Sequence, residues 1–261
     1  QADISGWDEC FPSIAETPYP LAPWQGILVP DHGELWTLPW QWEVDGTALR
    51  MWTYSVRFGY RFERIFDFDE RSIAVSYRVD NPTSFDLHAL WSMHPFFQVT
   101  PSSRVLLPPG VGVRVEISTG ERIGPFLSEA PWPVAHDHQI GRPVDLSIMG
   151  PPQPTTEKLY STLLPEGWAA LYHPDDEHFV AFTFDPSDIP FVGVCQIRGG
   201  WPAQGKPAYT MLLEPCTGWP DRLDLAVAHG TARVIPAGKS RQWQVQLHLG
   251  RTRAGHRTGA A

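Results

Sequence analysis

The chain has 261 residues, 20 basic and 29 acidic, for a net charge of −9, with 42% hydrophobic and 19% charged residues. That balance describes a folded globular protein rather than a disordered one. An acidic surface repels phosphate backbones and anionic lipid, so nucleic acid and membrane surfaces are excluded as partners. No apolar run approaches the roughly 18 residues needed to span a bilayer. The chain opens on Gln rather than Met, and no charged segment leading into an apolar one follows. Three cysteines, Cys10, Cys195 and Cys216, lack CxxC spacing. They predict buried free thiols in a reducing, cytoplasmic setting, with neither a disulfide framework nor a zinc site.

Pro (27) and Gly (22) are abundant but not repetitive, which fits turns between many short strands. Taken in chain order, Val56, Phe58, Tyr60 and Phe62 alternate with polar or small residues. Ile73, Val75, Tyr77 and Val79 do the same, as do Trp243, Val245, Leu247 and Leu249 near the end. Each run predicts a strand with one apolar face. Turn signals at Asp45-Gly46, Asp80-Asn81-Pro82, Pro108-Pro109-Gly110 and Pro236-Ala237-Gly238 separate them. Helical periodicity is nearly absent. The expectation is an all-β chain: one large antiparallel β-sandwich domain over 1–250 with few short helices, and a frayed tail over 251–261. Pro-rich stretches at 12–30, 125–154 and 185–220 read as long loops. Twelve tryptophans either fill the core or line a groove that packs against sugar C–H faces; composition does not choose.

Nucleotide, phosphate and serine-hydrolase signatures are missing, as is HExxH. His136-Asp137-His138 puts two histidines at i, i+2, but a third ligand is not evident and no metal is predicted there. Three segments carry more chemistry: Pro30-Asp31-His32-Gly33-Glu34-Leu35-Trp36, Trp91-Ser92-Met93-His94-Pro95-Phe96-Phe97, and Met211-Leu212-Leu213-Glu214-Pro215-Cys216. In the last two, a lone titratable group sits within or closes an apolar strand. That is costly unless the group is paired or used.

In this order the segments resemble the aldose 1-epimerase, or galactose mutarotase-like, superfamily. Its signposts are an early His-Gly, a His-Pro-aromatic-Phe strand after an Asn-Pro-Thr turn, and a late Leu-Glu-Pro. Gly6-Trp7-Asp8-Glu9-Cys10-Phe11-Pro12 resembles the family's Gly-aromatic-acidic-Phe-Pro segment, and Leu213 to Asp221 with Pro236-Ala237-Gly238-Lys239 resembles its C-terminal signature. The likeness runs from Gly6 to about Leu249.

The resemblance implies a β-sandwich with an open groove that interconverts the α and β anomers of a free aldose without metal or organic cofactor. Glu214 then corresponds to the general base at the anomeric hydroxyl and His94 to the general acid at the ring oxygen. His32 corresponds to a second, sugar-holding histidine. Asp8, Trp36 and Trp201 are expected to contact the sugar. The aspartate that binds sugar hydroxyls falls near Asp185 or Asp188, with Asp185 carried as the candidate. Relatives have further strands ahead of the Gly-Trp-Asp-Glu segment, and the arginine of the sugar-phosphate branch is absent after His32-Gly33, which argues against a phosphorylated substrate. The alternative reading is a carbohydrate-binding or regulatory protein of the same fold. A lyase or hydrolase is the third, although a hydrolase would want two flanking carboxylates.

Overall fold

The computed structural model describes residues 6–252; most of the tail expected from 251 onward therefore lies outside the described residues. About 49% of the chain is strand and 4% helix. Two antiparallel sheets dominate. The first runs Trp7–Cys10, Ser92–Phe97, Thr210–Cys216, Phe191–Ile197, Thr156–Ser161, Gly112–Ser118, Glu129–Pro131 in spatial order. The second runs Arg104–Leu106, Trp168–His173, His178–Phe184, Lys239–Arg251, Ser72–Asn81, Arg61–Phe68, Ala48–Tyr54, Gln41–Asp45. Three two-stranded ribbons and the short helix Leu223–Ala228 fill the margins. That helix is too short to cross a membrane, and among the described residues no other is long and apolar enough.

Alternation decides which residues meet between the sheets. From the second sheet, Phe62, Val75, Tyr77, Trp243 and Val245 enter the common core. From the first come Met93, Met211, Leu213, Val192 and Val194. Tyr77 stacks on Trp243 with centroids 5.4 Å apart, and Trp91 meets Trp243 at 5.2 Å. Each of these rings removes a large apolar area from water. Glu9 also points into this core, where it accepts hydrogen bonds from Trp91 Nε1 and Tyr77 Oη and meets Arg64 Nη1. Burial dominates its titration and pushes the carboxyl up to about 7.

The opposite parity of the first sheet faces away from this core. His94 and Phe96, Leu212 and Glu214, Cys195 and Ile197, and Lys158 all project on that side. A one-residue slip of register would exchange the two sets, so the apolar set that packs on the second sheet fixes which polar groups are displayed.

Two of the expected loops are partly sheet. The 125–154 stretch contains Glu129–Pro131 and a ribbon of Val134–Asp137 with Arg142–Asp145. Of its prolines, Pro131 sits in an edge strand and Pro143 in the two-stranded ribbon, where a missing N–H does no harm. The 185–220 stretch contains two central strands, Phe191–Ile197 and Thr210–Cys216. Between 12 and 30 only the two-residue strands Thr17–Pro18 and Leu28–Val29 form, so this stretch is largely loop as expected.

Candidate active site

The site is a single row of residues across the first sheet. Cα pairing runs Asp8 to His94, Glu214 to Gly193, and Gly193 to Tyr160. Ser92–Phe97 and Thr210–Cys216 pair at Met211–Phe97, Leu212–Phe96 and Cys216–Ser92, and the ladder is open between. In that same register, His94 lies opposite Glu214. Pro95 and Pro215 flank them and have no N–H to donate, which accounts for the interruption. The sequence thus places a base and an acid face to face where the backbone does not tie the strands together.

Distances follow from the row. Asp8 Oδ1 lies 2.9 Å from His94 Nδ1, and His94 Nε2 lies 3.6 Å from Glu214 Oε1, beyond hydrogen-bond range. Glu214 is 0% exposed, and neither carboxylate oxygen has a hydrogen-bond partner. A buried carboxylate without donors costs more than the roughly 1–3 kcal/mol of an orphaned neutral group. Room for it comes from Gly193: a Cβ there would stand 2.7 Å from Glu214 Oε2 and 3.3 Å from the Tyr160 ring.

The charge of Glu214 is balanced by Lys158, whose Nζ lies 3.3 Å from Oε2 and 2.9 Å from Asp221 Oδ1. Tyr160 also donates to Asp221. Burial alone would depress the Lys158 ammonium, but the Asp221 and Glu214 carboxylates outweigh it and hold its pKa above the ordinary lysine range. Asp221 in turn accepts backbone N–H groups of Ile14 and Ala15 at its carbonyl, tying the 12–30 loop over the sheet.

His32 arrives from the turn that follows that loop. Its φ of 60° is in the left-handed region, which costs a non-glycine residue about 1–2 kcal/mol. Gly33 follows at φ 75°, and a Cβ there would collide with the Phe11 carbonyl oxygen at 2.0 Å; this close approach explains the His-Gly pair. Glu34 anchors the turn by accepting from Ser55 Oγ at 2.6 Å and Arg57 Nη1 at 3.0 Å. The His32 and His94 ring centroids are 4.7 Å apart. His32 Nδ1 meets Asp31 Oδ2 at 3.2 Å. Burial pulls the His32 imidazole down, and the Asp31 hydrogen bond and charge more than offset it, so its pKa ends above the usual value.

These groups line a cavity of about 400 Å³, large enough for a small ligand. Of the residues singled out from the sequence, Asp8, His32, Trp36, His94, Trp201 and Glu214 all border it. Asp185 does not. It sits at a larger, open depression of about 760 Å³ on the outer face of the second sheet, where Arg78, Gln242 and Gln244 are neighbours. Its side chain accepts from the Ser187 N–H at 2.8 Å, so it is a turn-forming aspartate. Asp188 pairs with Arg241 at 3.0 Å and is likewise elsewhere. His136 and His138 are exposed, while Asp137 between them is taken by Arg122 at 2.7 Å. Sequence reading missed Lys158, Asp221 and Asp31. Lys158 gave no signal in the sequence, because Thr156–Ser161 mixes charged and apolar residues and its enclosure appears only in the fold.

The sequence matches no family profile and no curated protein. Solved structures do match. A candidate aldose 1-epimerase from Escherichia coli K12 superposes with TM-score 0.70 at 18% identity, covering 95% of this chain and 84% of that one. The Slr1438 protein of Synechocystis gives 0.66 at 15%, with 95% and 78% covered. A galactose mutarotase-like protein from Lactobacillus casei gives 0.56 at 18%, with 94% and 85% covered. At these identities the likeness is one of fold.

Proposed function

Starting from a chain with the galactose mutarotase-like fold, we propose that it is an aldose 1-epimerase acting on a free, uncharged aldose. The carrying observation is the buried Glu214 carboxylate, ion-paired with Lys158 at Oε2 but without a formed hydrogen bond at either oxygen, facing His94 across an open stretch of sheet. A sugar hydroxyl in the cavity supplies a hydrogen bond to Oε1.

The chemistry uses two oxygens on one carbon. Glu214 accepts the proton of the anomeric hydroxyl while His94 protonates the ring oxygen from Nε2, and the bond between the anomeric carbon and the ring oxygen breaks to give the open-chain aldehyde. After rotation about the neighbouring carbon–carbon bond, the ring oxygen attacks the other face and both protons return. Asp8 holds Nδ1–H of His94, which directs Nε2 into the cavity and favours the imidazolium that forms when the ring closes. Assistance of this kind contributes roughly 10²–10⁴-fold. His32 contacts the sugar, and Trp36 and Trp201 offer ring faces to its C–H surface.

The charge lining the cavity supports an uncharged substrate. Asp8, Asp31, Glu214 and Asp221 surround one lysine, and that lysine is already shared by two of the carboxylates. A phosphate or a sugar acid would meet net negative potential, and among the described residues lining the cavity no other lysine or arginine stands ready to receive it.

Polarimetry on freshly dissolved α-glucose, α-galactose and other common aldoses tests the reading. Catalysed mutarotation of at least one is expected. Binding of an aldose without any acceleration would replace the enzyme by a sugar-binding protein of the same fold.

A further inference from the structure

Cys10 takes no part in the acid–base scheme, yet it lies beside both histidines. It follows Asp8 by two residues on Trp7–Cys10, so its side chain leaves the strand on the same side. Donor atoms of Cys10, His32 and His94 all lie within 4.8 Å of one another. Cys10 is a free, fully buried thiol.

Both imidazoles are prepared in the same way. Asp8 holds Nδ1 of His94 at 2.9 Å and Asp31 holds Nδ1 of His32 at 3.2 Å. A carboxylate behind one ring nitrogen fixes the tautomer with the proton on Nδ1 and leaves the Nε2 lone pair free. That is the arrangement found behind metal-bound histidines. Glu214 lies 3.6 Å from His94 Nε2 but pairs with Lys158 at 3.3 Å, and it stands outside the mutually close donor set. Two imidazoles and one thiol converge, each capable of giving one electron pair.

We propose that Cys10, His32 and His94 form a site for one zinc-class divalent cation beside the cavity, with the fourth position left to water. The donor set selects the metal type. Thiolate and imidazole suit Zn²⁺, and two nitrogens with one sulfur and an open position suit a tetrahedral ion. Magnesium and calcium want oxygen ligands alone. Ligand separations of up to 4.8 Å must contract by about 1 Å to reach tetrahedral spacing with bonds of about 2.0–2.3 Å. Of the three ligands only His32 is carried on a turn rather than a strand, so the movement falls to its side chain. On binding, Cys10 gives up its thiol proton to solvent, the sulfur donates its pair to the cation, and no redox change occurs.

The ion would occupy the same two imidazoles assigned above to the sugar. Zn²⁺ and aldose are then mutually exclusive, and the cation is an inhibitor of the epimerase rather than its cofactor. The site itself rests on side-chain geometry and stands whether or not the protein turns over sugar.

Cobalt titration of the reduced full chain tests it directly. The expected result is one Co²⁺ per chain, with the visible bands of a tetrahedral ion and a thiolate-to-cobalt charge-transfer band, displaced stoichiometrically by Zn²⁺. Cys10→Ser should remove the charge-transfer band and weaken Zn²⁺ binding by roughly 100-fold or more, since losing a hydrogen bond behind a ligand already costs about 10–100-fold. Asp31→Asn should show that smaller loss. If the wild type mutarotates an aldose, Zn²⁺ should inhibit it and Cys10→Ser should be active but resistant. X-ray absorption on the zinc-loaded wild type, with one sulfur among four ligands expected, keeps the test decisive should Cys10→Ser fail to fold. An octahedral oxygen-only spectrum, no stoichiometric binding, or a thiolate band that survives in folded Cys10→Ser would overturn the proposal.

Discussion

His94 and Glu214 face each other across two neighbouring strands at the one stretch where the ladder between those strands is open, with Nε2 and Oε1 3.6 Å apart. Neither group is reached by a long flexible loop. Each is fixed by the register of a sheet whose other face is packed with Met93, Met211 and Leu213. Pre-positioning of this kind removes the entropy cost of bringing acid and base together at each turnover.

Gly193 separates Glu214 from Tyr160, so Gly193→Ala should be more damaging to turnover than to folding. The added methyl would press on Glu214 Oε2 at 2.7 Å and move the carboxylate. We expect activity to fall by roughly 10²-fold, as for a misplacement on the order of 1 Å, with a modest change in Tm. Steady-state mutarotation beside a thermal melt checks this; a large loss of Tm with kcat retained in the folded fraction would contradict it.

Asp8→Asn replaces the acceptor behind His94 by a group that can present N–H instead. The imidazole tautomer is then no longer fixed, and the imidazolium loses a counter-charge. The expected loss is about 10-fold or more in kcat, accompanied by a shift of the pH–rate profile, with little change in sugar affinity. An unchanged profile would mean that Asp8 contacts only the sugar.

Lys158→Met removes the one cation between two buried carboxylates. Breaking a buried ion pair leaves an uncompensated charge and costs about 3–5 kcal/mol. Urea unfolding of both proteins at pH 7 reads this directly, and an unchanged midpoint would contradict it.

Glu9 gives a separable pH effect. Its carboxyl is pushed up to about 7 from the ordinary 4.5 by burial. Between those values the unfolded chain releases a proton that the native chain keeps. Stability from this group is therefore full below about pH 4.5 and is lost as pH climbs through 7. The span is on the order of 3 kcal/mol. Wild-type Tm should decline across that window relative to Glu9→Gln, and parallel curves would contradict the assignment.

The sandwich was legible in the sequence because period-2 alternation is a local signal: Val75, Tyr77, Trp243 and Val245 declare their common face without reference to partners. His94 and Glu214 were legible as polar groups set in apolar strands. The row that joins them was not, because register between strands about 120 residues apart depends on packing across the whole sheet. Lys158 and Asp221 stayed hidden for the same reason, since each is explained only by the other. Asp185 misled because a turn-capping aspartate and a ligand-binding one look alike until their hydrogen bonds are seen. The stretch over 125–154 misled in part because Pro131 and Pro143 sit in strands and read as loop.

The most direct test of the account is a double-mutant comparison of anomer exchange, measured by saturation-transfer NMR on an equilibrated aldose. Glu214→Gln keeps shape and hydrogen-bonding capacity but cannot take a proton, and His94→Asn cannot deliver one. Each single change should lower the exchange rate by roughly 10²-fold or more while sugar affinity changes far less. The double mutant should be little slower than either single mutant, because both groups serve one concerted proton transfer. Fully additive losses, or single mutants that exchange anomers at the wild-type rate, would contradict the claim that His94 and Glu214 act together on the anomeric centre.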